Sequence, residues 1–230
     1  MKKTTVISLG GSIIVPDDID TSFMKSFVSS ISDYLKGNLD SYLIIVCGGG
    51  SIARKYQQSF KEINSFYTEN QADWIGIRAT HLNAELINSL FFPLSCDFVV
   101  TDPTSENIVF NKQVLVSGGW KPGFSTDTDA VLLAKRYEAD LIINLSNIKK
   151  VYTDDPKTNS EAKPLDKIKW VDFLKITGTV WVPGKNTPFD PVASKLAMES
   201  NLKVICADGR DIDNTLNILN NRKYVGTLIY

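Results

Sequence analysis

Residues 42–56 read YLIIVCGGGSIARKY. The run Tyr42–Cys47 is apolar without polar alternation, the pattern of a strand buried on both faces. Three glycines and Ser51 follow, and Ile52, Ala53, Tyr56 and Phe60 then recur at helical spacing. A strand that passes through glycines straight into a helix leaves the first helical N–H groups uncovered. With the helix dipole, those groups suit an anion such as phosphate. Three consecutive glycines also cost conformational entropy on folding. Two readings stay open at this point: an ordinary glycine turn, or a bare backbone loop kept for a large anionic ligand. On the second reading Arg54, in the first turns of the helix, adds a charge-assisted donor.

The same order of strand, glycines and helix occurs twice more. In TTVISLGGSIIV, Thr4–Val15, the strand residues Val6, Ile7 and Leu9 run into Gly10, Gly11 and Ser12. Val114–Ser117 runs into Gly118 and Gly119, then Trp120–Asp127, then a helix over Thr128–Tyr137. Phe98–Val100, Leu141–Leu145 and Val204–Ala207 are further apolar runs. Between them, Ile19–Leu35 places Phe23, Phe27, Ile31, Tyr34 and Leu35 on one helical face. Ile75–Leu90 does the same with Ile75, Leu82, Leu86 and Leu90, and shorter helices are expected over Pro191–Met198 and Asn214–Leu219. Strands alternating with helices imply an α/β fold, a three-layer αβα sandwich around a mostly parallel sheet. Residues 153–169 are polar with two prolines and read as a surface excursion or hairpin. The strand Lys203–Ala207 continues the same sheet, so a single domain over 1–230 is expected. Ligands of open α/β sheets bind beyond the carboxyl ends of the strands. Three glycine turns at such ends point to a phosphate-rich ligand. Neither G-x-G-x-x-G nor a Walker A loop is present.

Composition narrows the classes. The 230 residues are 43% hydrophobic and 22% charged, with 25 Lys and Arg against 26 Asp and Glu, a formal net charge of -1. Bulk electrostatics therefore argues against nucleic acid as a partner. The three cysteines, Cys47, Cys96 and Cys206, form no C-x-x-C pair, and His81 is the one histidine. A cytoplasmic chain with buried thiols, no disulfide framework and no metal site of protein side chains is expected. MKK and the short stretch behind it do not read as a secretory signal, and no run of about 18 apolar residues predicts a membrane span.

Taken in order, GGS (10–12), GGGSIARKY (48–56), ADWIGIRATHLNAELI (72–87), GGWKPGFSTDTDAVLLA (118–134), LSNIKKVYTDDP (145–156) and FDPVASKLA (189–197) resemble the amino acid kinase superfamily. Within it they are most similar to the archaeal-type uridylate kinases. That resemblance implies phosphoryl transfer from MgATP to a nucleoside monophosphate, UMP giving UDP. It implies an acceptor lobe over about residues 1–140 and an ATP lobe over about 141–230, with Mg²⁺ arriving with ATP. Gly11, Ser12, Gly50 and Arg54 would meet the ATP phosphates; Ser146, Asn147, Tyr152 and Asp155 would surround its base and ribose. Gly49 and Asp73 would hold the acceptor, Asp73 at the ribose hydroxyls, beneath a loop of Trp120, Lys121, Pro122, Gly123, Phe124, Ser125 and Thr126. Arg54, Asp127 and Lys195 are the expected catalytic residues. Asp127 would cap the following helix and orient cationic neighbours, and Lys195 would reach the donor phosphates. The family also assembles as homo-oligomers, hexamers or dimers, and the helix over Ile75–Leu90 resembles its dimer-forming helix; the same apolar stripe could equally face the protomer's own core.

The chain departs from the pattern at three places. Ser8 stands where several superfamily members carry a lysine. Lys149 and Lys150 replace an acid and a glycine, so a position suited to φ > 0 holds a lysine. Trp120 and Phe124 replace small polar residues, and either stack on a pyrimidine or fill the pocket. His81 reads as a structural or surface residue, and Asp129 as a first-turn helix charge or a second carboxylate facing Mg²⁺. Trp181 and Phe189 read as packing residues flanking a loop over the donor site. Two alternatives accompany the kinase reading: a sibling enzyme acting on an amino acid carboxylate or isopentenyl phosphate, and a nucleotide-binding protein without turnover.

Overall fold

The computed structural model describes residues 2–178 and 187–230. In chain order its elements are β1 (Lys3–Leu9), α1 (Gly11–Ile14), α2 (Thr21–Gly37), β2 (Ser41–Cys47), α3 (Gly50–Ile63), α4 (Glu69–Leu90), β3 (Ser95–Val100) and β4 (Val114–Ser117). There follow α5 (Thr126–Arg136), β5 (Leu141–Ser146), β6 (Lys167–Ile168), α6 (Trp170–Thr177), α7 (Pro191–Glu199), β7 (Lys203–Asp208), α8 (Ile212–Leu219) and β8 (Thr227–Ile229). Trp181 and residues 183–186 of the expected donor-site loop lie outside the described residues.

One eight-stranded sheet runs in the order β3-β4-β2-β1-β5-β7-β8-β6. The strands from β3 to β7 are parallel, and β8 pairs antiparallel to β7. The unbroken apolar strands explain this: Ile7 and Leu9 face one layer of helices and Val6 the other, all fully buried. Phe27, Ile31 and Leu35 of α2, with Ile218 of α8, cover the first face. Leu133 of α5, Phe173 of α6 and Ala193 of α7 cover the second. The αβα sandwich expected from the alternation of strands and helices is the architecture observed. The short β6 and β8 carry too few residues to show a period, and only pairing reveals them.

The structure decides the open face of one helix and changes the cap of another. The stripe of Ile75, Leu82, Leu86 and Leu90 is the outer side of α4; Leu82 is 61% exposed. The inner side is Ala72, Ile77, Thr80, Asn83, Ala84 and Ile87. Where α4 lies against Gly49 its residues are Gly76 and Thr80, small enough for the close approach. Ser125, not Asp127, caps α5, its side chain accepting from Thr128 N–H. The polar stretch 153–169 is largely exposed and is closed by a bridge between Tyr152 and Pro164. Cys47, Cys96 and Cys206 are buried and free.

Register places the glycine turns together. Leu9 pairs with Cys47 on one side and Leu145 on the other, so Gly10 and Gly48 leave the sheet side by side next to Ser146, the last residue of β5. The turns then touch backbone to backbone. A Cβ on Gly11 would lie 1.9 Å from Gly50 N, and one on Gly48 2.4 Å from Gly11 N. Gly50 opens α3 at φ +67, where a Cβ would lie 2.5 Å from Gly11 O. Gly11→Ala is therefore expected to lower stability by more than about 2 kcal/mol, since backbone must move. Gly37→Ala, at a site with nothing within 4 Å, is expected to be neutral or stabilising by up to about 1 kcal/mol. Urea unfolding of both variants checks the contrast; equal effects would show that the junction tolerates a side chain.

Candidate active site

α3 begins at this junction with Gly49 as its N-cap and no side-chain cap. Asn83, buried on α4, fixes the triplet by donating from Nδ2 to Gly48 O (2.8 Å) and Gly49 O (3.2 Å). Ser51 is tied on the other side, its N–H donating to Val15 O and its Oγ to Asp17 O. The triplet's carbonyls are thus held from behind, and the start of α3 carries no side chain that would block an anion.

A cavity of about 340 Å³ opens beside the junction. Gly49, Gly50 and Arg54 form one wall, Asp73 stands across from them, and Gly123–Thr126 closes a third side. The structure so brings together most of the expected acceptor residues with Arg54. Arg54 is exposed and makes no ion pair with any described acid. Gln57, Thr80 and Asp190 also line the cavity, and sequence reasoning passed over all three. Their signal was present for α4: Asp73, Thr80 and Asn83 are polar residues at helical spacing on the side opposite the leucines.

The loop over the cavity is held from several elements. Gly119 N–H donates to Thr80 Oγ1 at 2.7 Å, and His81 Nε2 donates to Gly119 O at 2.7 Å. His81 is a structural residue, as expected, and its target is this loop. Trp120 N–H donates to Asp129 Oδ2 at 3.1 Å, and Gly123 N–H to Asp73 Oδ2 at 3.2 Å. Trp120 packs on Phe124 with ring centroids 5.0 Å apart, and the Lys121 ammonium lies 3.7 Å from the Trp120 centroid. Phe124 lines the cavity; Trp120, Lys121 and Pro122 do not. Trp120 and Lys121 thus support the loop from outside.

Asp127 sits at the junction of three elements. Ser8 Oγ of β1 donates to its Oδ1 at 3.0 Å, and the Asp190 N–H at the start of α7 to its Oδ2 at 3.0 Å. Among the described residues it forms no ion pair; in place of the expected cap on α5, Asp127 links β1 to α7. Burial raises its carboxyl to about 6, although the Asp190 amide and Ser8 hydroxyl favour the charged form; the Asp190 carboxyl adds to the rise. Asp129, fully buried, is raised to about 7 by burial, against the Trp120 amide and with help from Asp127 and Asp102. Among the described residues its Oδ1 has no hydrogen-bond partner, so the first-turn acid expected from the sequence is a buried one.

Of the residues expected around ATP, Gly50 and Arg54 line this cavity, and Gly11, Ser12, Ser146, Asn147, Tyr152 and Asp155 lie outside its lining. Gly11 and Ser12 lie in the first turn, and Ser146 Oγ is buried without a partner beside Gly10. Asn147 and Asp155 are exposed, and Tyr152 bridges Pro164. Lys195 is exposed on α7 and does not line the cavity. Lys150 is paired with Asp166 and adopts no positive φ, so the lysine in place of glycine fits its backbone. Phe189 is fully buried against Trp170, a packing residue as expected.

The two raised carboxyls fix a pH dependence. Between about pH 4 and 7 the folded chain keeps protons on Asp127 and Asp129 that the unfolded chain has released, so this contribution to stability is lost as pH rises. Asp129→Asn is expected to flatten that loss, gaining on wild type between pH 5 and pH 8 in urea unfolding. A difference independent of pH would mean that Asp129 does not titrate there.

Comparison with known proteins fits this geometry. Residues 3–208 match the amino acid kinase family. A uridylate kinase of Thermoplasma volcanium is 35% identical over 230 residues, covering 100% of this chain and 98% of that protein. One from Thermoplasma acidophilum is 36% identical over 230 residues, covering 100% and 97%. The crystal structure of uridylate kinase from Archaeoglobus fulgidus has a TM-score of 0.84 at 32% identity, covering 100% of both chains. With strand order, glycine junction and full-length likeness in agreement, the chain belongs to the amino acid kinase family.

Proposed function

We propose that the chain transfers the γ-phosphoryl group of MgATP to UMP, giving UDP and ADP. The observation that carries this reading is the single cavity in which Arg54 and the open start of α3 face Asp73 beneath the Gly123–Thr126 segment. Its volume of about 340 Å³ falls in the range of about 300–1,000 Å³ usual for small-ligand sites. The acceptor phosphate lies at Gly49, Gly50 and Arg54, its ribose hydroxyls at Asp73. Residues 1–140 act as the acceptor lobe and 141–230 as the donor lobe of one domain. Gly11, Ser12, Gly50 and Arg54 meet the ATP phosphates, with Lys195 approaching from α7 and Ser146 beside the base and ribose. Asn147, Tyr152 and Asp155 lie along the adenosine.

A phosphate oxygen of UMP attacks the γ-phosphorus, and the bond to the β,γ-bridging oxygen breaks. A phosphate monoester has its second pKa near about 6, so the attacking oxygen is already ionised at neutral pH and needs no general base. The protein's work is alignment and charge neutralisation. The glycine junction brings donor and acceptor phosphates to one backbone surface. Arg54 offsets their charge, and Asp127 fixes α7, which carries Lys195, against β1. Among the described residues no three Asp, Glu, His or Cys side chains gather to hold a metal; Mg²⁺ enters as part of the MgATP substrate, held mainly by phosphates and water.

The free thiols support a cytoplasmic setting, and no helix of the described residues is long and apolar enough to cross a membrane. Exposed Leu82 and Leu90 on the outer side of α4 support a homo-oligomer, dimer or hexamer.

ADP release with MgATP against UMP, CMP, dUMP, AMP, acetylglutamate and isopentenyl phosphate tests the reading. Turnover is expected with UMP. Turnover confined to another acceptor, or none in a folded protein that binds ATP, would reject it. Arg54→Ala is expected to lower kcat/KM for UMP by about 10²-fold or more, the scale of losing one charge-stabilising donor. Near-normal turnover would remove Arg54 from the mechanism.

A further inference from the structure

Asp129 is fully buried on the first turn of α5. One carboxyl oxygen accepts Trp120 N–H; the other has no partner among the described residues. Native proteins rarely keep such an atom without a reason outside local packing. The geometry supplies one. The other fixed points of the loop's backbone, Thr80 and His81 at Gly119 and Asp73 at Gly123, all come from α4. Asp129 alone among them comes from α5, the helix that also carries Asp127 with its bonds to Ser8 and the start of α7. Trp120 in turn packs on Phe124, the aromatic residue that lines the cavity.

We propose that Asp129 is a positioning residue for the acceptor: by holding Trp120 N–H it sets the place of Phe124 at the cavity wall and ties the loop to the helix of Asp127. It touches neither substrate. Its effect runs through Trp120 to the loop and belongs to acceptor binding, not to the transfer step. This inference rests on the UMP reading for its kinetic consequence, while its structural consequence stands apart from the acceptor's identity.

Two substitutions separate positioning from mere packing. Asp129→Leu removes the acceptor for Trp120 N–H and fills the site with an apolar group of similar shape; the amide left without its partner is expected to cost stability, so circular dichroism and urea unfolding first establish that the variant is folded. Asp129→Asn keeps an oxygen that can accept the same bond. The expected result is a KM for UMP raised about tenfold or more in Asp129→Leu, with kcat and the KM for ATP within about twofold of wild type. Asp129→Asn is expected to restore the KM for UMP to within about threefold. If the leucine variant does not fold, Asp129→Ala is read in the same way. An unchanged KM for UMP in the folded variant, or a fall in kcat with KM unchanged, would overturn the proposal. Amide hydrogen exchange over residues 118–125 of the unliganded protein decides the matter even if wild type does not use UMP. Faster exchange in Asp129→Leu, restored in Asp129→Asn, supports the positioning role, and unaltered exchange overturns it.

Discussion

At the carboxyl ends of β1 and β2, two turns approach until the backbone of Gly11 rests on that of Gly48 and Gly50, with no space for a single Cβ between them. Everything at the working edge of the sheet depends on that approach. It places two uncovered turns on one surface, where two phosphate-bearing substrates can lie end to end. It requires Gly50 to start α3 at a positive φ, which aims the first turn of that helix, and with it Arg54, at the cavity. The parallel register of β1 with β2 makes the approach unavoidable, because Leu9 and Cys47 end their strands at the same level.

Around this fixed junction the other groups are placed by side chains reaching to backbone. Asn83 holds the triplet's carbonyls, while Thr80, His81, Asp129 and Asp73 hold the loop from Gly119 to Gly123. Asp127 gathers β1 and α7. The arrangement pre-forms a site rather than leaving substrate to assemble it. Its burden is the burial of two carboxyls whose charged forms are disfavoured there. Stored strain of that kind is common where a site must be rigid before its ligand arrives.

Much of this was legible in the residues. Apolar runs without alternation gave a sheet covered on both faces, and the glycines at their ends marked where ligands approach. Arg54, Asp73 and Gly123–Thr126 were chosen from order and likeness, and they do meet in one cavity. Other features are not legible for a common reason. A helix presents several faces, and hydrophobicity marks the leucine stripe of α4 without deciding whether it meets the core or lies outside; Gly76 and Thr80 beside Gly49 show which side packs inward. Asp127 had the position of a cap, yet Ser125 lay closer to the role, and the partners of Asp127 are 119 and 63 residues away. Asp129 reads as one more first-turn charge because burial on α5 depends on β1 and β2 packing against the helix and on the loop folding over it.

The sequence by itself determined the alternation of strands and helices, the parallel sheet and the edge at which phosphate would bind, because each follows from local periodicity and from the steric freedom of glycine. Only the tertiary structure decided which side of α4 turns inward, which residue caps α5 and which acid bridges β1 to α7, and that Trp120 supports the cavity without entering it. Those outcomes depend on pairs far apart in the chain. Hydrogen-bond geometry and close packing are satisfied between such pairs only once the sheet has set their distance.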